Sequence, residues 1–73
     1  MRRISVLGLG YIGLPTAILA AECGYQVCGF DIDSKKVERI NVGDPTIFEP
    51  ELKKRLLNAL RKNAGFICLY YFL

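Results

Sequence analysis

Apolar residues open this chain as an almost unbroken run, and glycines rather than charges cut that run into pieces. Arg3–Leu7 is apolar at nearly every position, interrupted only by Ser5, which is the pattern of a parallel strand covered on both faces. The stretch from Tyr11 to Cys23 then predicts a helix. Pro15 falls early enough to lose little hydrogen bonding, and Gly24 is placed to stop the helix in a left-handed cap. Gln26–Phe30 predicts a second strand, ended by Asp31. Asp33 or Ser34 can cap a short helix over Lys35–Asn41, which Gly43 terminates. Pro45 and Pro50 mark the following segment as a loop, with Pro50 well placed for the first turn of another helix. In that helix Leu52, Leu56, Leu57 and Leu60 form one apolar stripe opposite lysines and arginines. Asn63-Ala64-Gly65 closes it, and Phe66–Leu73, rich in aromatic and branched residues, predicts a third strand.

Strand, helix, strand, helices, strand is a βαβαβ order. The fold class expected is therefore α/β: a Rossmann-like βαβαβ half with three parallel strands in the order 3-2-1. Right-handed crossovers that advance in one direction place all their helices on the same sheet face. The opposite face is left bare, and strand one is left as an open edge, where a complete doubly wound fold has its second half. With 73 residues, residues 1–73 read as one partial domain, the first half of such a fold, truncated and without a second domain. A core of this size is marginal.

The junction between strand one and the first helix carries the chemistry. It reads Gly8-Leu9-Gly10-Tyr11-Ile12-Gly13, the dinucleotide fingerprint in the strand-to-helix context that it requires. Gly8 permits the tight turn, Gly10 keeps a Cβ away from a pyrophosphate, and Gly13 lets helix and strand pack closely. Helix N–H groups, those of Tyr11 and Ile12 among them, converge where a diphosphate would lie. Asp31 ends strand two, 18 residues after Gly13, close to the spacing at which a carboxylate accepts ribose hydroxyls. A carboxylate there repels a 2′-phosphate and favours NAD over NADP, although Lys35 and Lys36 nearby weaken the preference. The alternative role for Asp31 is a strand-end carboxylate that caps the following turn.

Composition is that of a globular chain, with 52% hydrophobic and 23% charged residues. The net charge of +3 comes from Lys53–Lys62 and from Lys35, Lys36 and Arg39, which read as solvated helix faces. No recognition motif accompanies them, so no nucleic-acid partner is expected. Three cysteines and no histidine provide neither zinc spacing nor an even disulfide framework, which fits a reduced, cytoplasmic compartment and no metal. Cys23 and Cys28 are expected to be small apolar core residues. Met1-Arg2-Arg3 before an uncharged run to Ala21 resembles a signal peptide or short span, but three glycines and Pro15 in its first half argue against a membrane role.

The longer string Ile4-Ser5-Val6-Leu7-Gly8-Leu9-Gly10-Tyr11-Ile12-Gly13-Leu14-Pro15-Thr16 closely resembles the start of the UDP-glucose/GDP-mannose (nucleotide-sugar) dehydrogenase family. The likeness continues through Gly29-Phe30-Asp31-Ile32-Asp33, Lys36-Val37, Ile40-Asn41, Gly43 and Ile47-Phe48-Glu49-Pro50-Glu51-Leu52, and the wording is slightly nearer the family's UDP-N-acetylhexosamine branch. The resemblance implies an oxidoreductase that turns a UDP-sugar C6 alcohol into a carboxylate in two NAD-dependent steps, through a thiohemiacetal on a catalytic cysteine, in polysaccharide biosynthesis and as a homo-oligomer. It implies cofactor contacts at Gly8, Leu9, Gly10, Tyr11, Ile12, Gly13, Asp31 and Lys36, the last where the family has a basic residue beside the adenosine ribose. After Phe66 the family ends a small strand in Ser/Thr, whereas this chain reads Ile67-Cys68-Leu69-Tyr70-Tyr71-Phe72-Leu73. None of Cys23, Cys28 and Cys68 matches the nucleophile, so no catalytic residue is expected here. A truncated or frame-altered segment, inactive alone and self-associating through its bare sheet, is the reading that results. The competing readings are a segment of a flavin- or other dinucleotide-dependent oxidoreductase and a non-catalytic fragment; the Leu-Gly-Tyr-Ile-Gly-Leu-Pro and Ile-Phe-Glu-Pro strings argue against a flavin.

Overall fold

A computed structural model describes residues 2–47, 49–61 and 67–71. Within them the chain forms β1 (Arg3–Leu7), α1 (Gly13–Glu22), β2 (Gln26–Asp31), α2 (Ser34–Asn41), α3 (Pro50–Arg61) and β3 (Ile67–Tyr71). Both strand pairs are parallel and β2 lies in the middle, so the sheet runs 3-2-1 from one edge, the order expected of a Rossmann-like half. Phe48, Asn63-Ala64-Gly65, Phe66, Phe72 and Leu73 lie outside the described residues.

Register decides which residues share a face. Ile4 and Val6 align with Val27 and Gly29, and these with Ile67 and Leu69. This is the face the helices cover: it packs against Leu14, Ala17 and Ile18 of α1, Val37 and Ile40 of α2, and Leu52 and Leu56 of α3, all buried. The other face carries Ser5, Leu7, Cys28, Phe30 and Tyr70, and no helix lies on it among the described residues. Leu7 is 73% exposed and Tyr70 51%. The Phe30 and Tyr70 rings stack there, with centroids 5.7 Å apart. An apolar run therefore overstates the covering of β1, because exposure alternates along it even though its apolar character does not.

The cysteines depart from expectation. Cys23 follows the last turn of α1 and is exposed, while Cys28 is half-buried on the uncovered face, so neither is a core residue. Pleat alternation puts Cys28 opposite the side taken by Val27 and Gly29. The side chain of Cys68 lies outside the described residues.

Local signals account for the helix ends. Asp33 caps α2 by accepting from the Lys36 N–H at 3.1 Å. Gly24 and Gly43 adopt positive φ after α1 and α2. Arg55 donates twice to Glu22, at 2.9 and 2.7 Å, joining α3 to α1. The Asn41 side chain donates to the Leu69 carbonyl at 3.2 Å and ties α2 to β3. No helix among the described residues is long and apolar enough to cross a membrane.

Candidate functional site

The loop between β1 and α1 is built by the backbone. Gly8 has φ +95°, a conformation that side chains disfavour, and its N–H donates to the Phe30 carbonyl at 2.8 Å, extending the β1–β2 ladder by one bond. A Cβ on Gly13 would run into the carbonyl oxygen of Gly8. The first turn of α1 can therefore lie against the end of β1 only because residue 13 is glycine. At Gly10 a Cβ would meet nothing within 4 Å, so the protein's own packing does not demand glycine there. Among the described residues that position is open space.

α1 has Ile12 at its N-cap and no side-chain cap. Leu14 and Thr16 donate back to Gly10 and Ile12, but among the described residues none accepts from the N–H groups of Tyr11 and Ile12. The side chains of Tyr11 and Ile12 are each 81% exposed, so these donors sit at an accessible helix N-terminus.

Asp31 closes the site from β2. Its Oδ2 accepts from the Leu9 N–H at 2.8 Å and lies 3.5 Å from Lys36 Nζ, while Oδ1 accepts from the Asp33 N–H at 2.9 Å. Only 9% of the residue is exposed. The Leu9 N–H, foremost, holds the Asp31 carboxyl below the usual carboxylate range; burial opposes this, and the Asp33 N–H and Lys36 add to it. Beside it a depression of about 210 Å³, lined by Leu7, Gly8, Phe30, Asp31 and Ile32, opens at the carboxyl ends of β1 and β2, where open α/β sheets hold ligands. A second depression is lined by Asp33, Lys35, Lys36, Arg39 and Thr46.

Gly8, Gly10, Tyr11, Ile12, Gly13, Asp31 and Lys36 thus come together at one end of the sheet. Leu9 does not present its side chain there. It is fully buried and packs over Gly29, where a Cβ would stand 2.9 Å from Leu9 Cδ2. The glycine inside strand two was the available signal, since glycine within a strand marks a close approach. The bond from the Leu9 N–H to Asp31 has no sequence signal of its own. No group of three potential metal ligands gathers among the described residues.

Three features fit a dinucleotide: an accessible helix N-terminus with spare donors, an open Cβ position at Gly10, and a strand-end carboxylate. Comparison with known proteins gives the same cofactor. Residues 2–68 match the model of the UDP-glucose/GDP-mannose dehydrogenase family, NAD binding domain. Among curated relatives, a UDP-N-acetyl-D-mannosamine dehydrogenase of Pyrococcus horikoshii is 57% identical over 58 residues, 80% of this chain and 14% of that protein. The solved structure of a UDP-D-ManNAc dehydrogenase from Pyrococcus horikoshii matches 92% of the chain, and 16% of its own, with TM-score 0.83 and 51% identity. That of a UDP-glucose dehydrogenase from Pyrobaculum islandicum matches 94%, and 16% of its own, with TM-score 0.86 and 40% identity. The chain thus spans about one-sixth or less of the length of these relatives. It belongs to the UDP-glucose/GDP-mannose dehydrogenase family, and the part of that family it corresponds to is the N-terminal NAD-binding domain.

Proposed function

We propose that residues 1–73 form the first mononucleotide-binding half of that domain and hold the adenosine diphosphate portion of NAD. The observation that carries this is the pair of unaccepted N–H groups at Tyr11 and Ile12 beside the open position at Gly10. Those N–H groups and the helix dipole would bind the diphosphate, and Gly8 and Gly13 would set the turn that aims them. Leu9 would contribute through the backbone, Asp31 would accept from the adenosine ribose, and Lys36 would stand beside the same sugar. NAD, when bound, supplies the hydride acceptor. In this reading these residues supply binding and orientation, and none of them is assigned a step in the alcohol oxidation.

The parent reaction we infer is oxidation of a UDP-sugar C6 alcohol to the uronate. The names of the relatives support a UDP-N-acetylhexosamine, and polysaccharide biosynthesis as its setting. The chain alone is expected to be inactive, since the family's catalytic cysteine has no counterpart in it. Cytoplasmic placement is supported by the free thiols of Cys23 and Cys28 and by the cofactor. Self-association is supported by the uncovered face bearing Leu7 and Tyr70 and by the open edge of β1. The family's homo-oligomeric state and the lack of nucleic-acid or membrane partners remain part of this proposal.

Two measurements test it. Calorimetry should give saturable NAD binding that Asp31→Asn weakens by about 1–3 kcal/mol, the scale of losing a charge-assisted acceptor, with a smaller loss for NADP. An assay with UDP-sugar and NAD should form no NADH above blank. Equal losses for both cofactors would remove the ribose role from Asp31, and NADH formation would overturn the inactivity.

A further inference from the structure

We infer that Asp31 is the positioning residue of the glycine loop, so that its carboxylate sets the loop's affinity for a diphosphate even when the ligand has no ribose hydroxyls to offer. The inference rests on the reading of Gly8–Gly13 as a diphosphate loop. It concerns a role other than the ribose contact.

Leu9 sits between the two glycines that shape the loop, and it is fixed at both ends. Its side chain is fully buried, and its N–H reaches Asp31 Oδ2 at 2.8 Å across a separation of 22 residues. The same carboxylate accepts from the Asp33 N–H through Oδ1 at 2.9 Å, and Asp33 in turn caps α2. One buried side chain thereby joins the loop, the end of β2 and the start of α2. Without it the Leu9 N–H would be buried with no acceptor, a state that folded proteins avoid by moving the backbone or admitting water. The peptide planes presenting the Tyr11 and Ile12 N–H groups lie two and three residues further on, so a shift at Leu9 would alter their aim.

The carboxylate has capacity for both roles. An ionised carboxylate offers about four acceptor positions. Leu9, Asp33 and Lys36 take three donors' worth, two on Oδ2 and one on Oδ1. A ribose hydroxyl can be accepted at the remaining position without releasing the Leu9 N–H.

The experiment uses the isotope-labelled chain and two probes, NAD and 2′,3′-dideoxyadenosine diphosphate, which keeps the diphosphate and lacks the ribose hydroxyls. Asp31→Ala should weaken both by roughly tenfold or more, the consequence of an unsatisfied buried donor. Asp31→Asn keeps a carbonyl acceptor for Leu9 and should restore most of the affinity for the dideoxy probe but not for NAD. In the unsubstituted chain the Leu9 amide proton should shift in step with protonation of Asp31, which falls below the ordinary value of 3.8. Loss confined to NAD in Asp31→Ala would overturn the inference in favour of a ribose role alone. Should Asp31→Ala fail to fold, a Leu9 amide that ignores protonation of Asp31 would overturn it equally. If the unsubstituted chain binds neither probe, the diphosphate reading itself fails, and the inference with it.

Discussion

Gly13 approaches Gly8 so closely that a Cβ on Gly13 would overlap the Gly8 carbonyl oxygen. Gly10, between them in the same loop, has open space at the equivalent position. The two substitutions should therefore separate folding from binding. Gly13→Ala should destabilise the free chain, by about 1–3 kcal/mol or more because backbone rather than a flexible side chain must move. Gly10→Ala should leave free-chain stability within about 1 kcal/mol, since an unstrained Gly→Ala change mainly restricts the unfolded chain. Its effect should fall on NAD affinity. Thermal unfolding paired with calorimetry checks both.

Acid should act through Asp31. Its carboxyl titrates below its ordinary value of 3.8 in the folded chain, chiefly because of the Leu9 N–H. The stabilisation is present in full above the ordinary value and is lost as pH falls below it toward the lower folded-state value. Lys36 is the charged group that bears on it, and Asp33 acts on it through its backbone N–H. Melting temperatures of the unsubstituted chain should fall over this acid window more steeply than those of Asp31→Asn, which has no proton to take up there. Parallel curves for the two would contradict this.

Much of the architecture is legible in the sequence because short-range rules act without competition. The strand bounds of β1, the Asp33 cap, Pro50 at the start of α3 and the Leu52/Leu56 stripe all follow from local pattern. With the strands in that order, the crossover rule puts the helices on one face. Contacts between residues distant in sequence were not legible. Nothing near Leu9 announces that its N–H will meet Asp31, and nothing near Cys28 tells which of the two sheet faces it takes. The helix at Tyr11 starts later than its apolar run suggests, at Gly13, because Gly10–Ile12 form the turn that presents the N–H groups. Thr46 at φ +59° is likewise invisible to pattern; its N–H donates to Asp44 Oδ1 at 3.0 Å.

Packing should outweigh charge between α1 and α3. The Glu22–Arg55 pair has good twofold geometry, but both side chains are more than one-third exposed. Arg55→Ala should cost under about 1 kcal/mol. Leu56, fully buried in the same helix, should cost about 2–5 kcal/mol as Leu56→Ala. Chemical denaturation of both variants checks the order.

The uncovered sheet face should make the chain associate with itself. Leu7 lies on that face at the end of an open edge strand. A lysine there puts a charge where a second sheet would pack. Sedimentation should show oligomers or aggregates for the unsubstituted chain and a shift toward monomer for Leu7→Lys. A sharp, concentration-independent monomer before substitution would contradict the prediction.

Amide-resolved titration of the labelled chain with NAD tests whether the glycine loop holds the diphosphate. Binding at the loop should move the Tyr11 and Ile12 amide signals most, saturably, with smaller changes near Asp31 and little at the α1–α3 contact around Glu22 and Arg55. Saturable binding that leaves the Tyr11 and Ile12 amides unmoved, or no binding at all, would show that this loop does not hold the diphosphate.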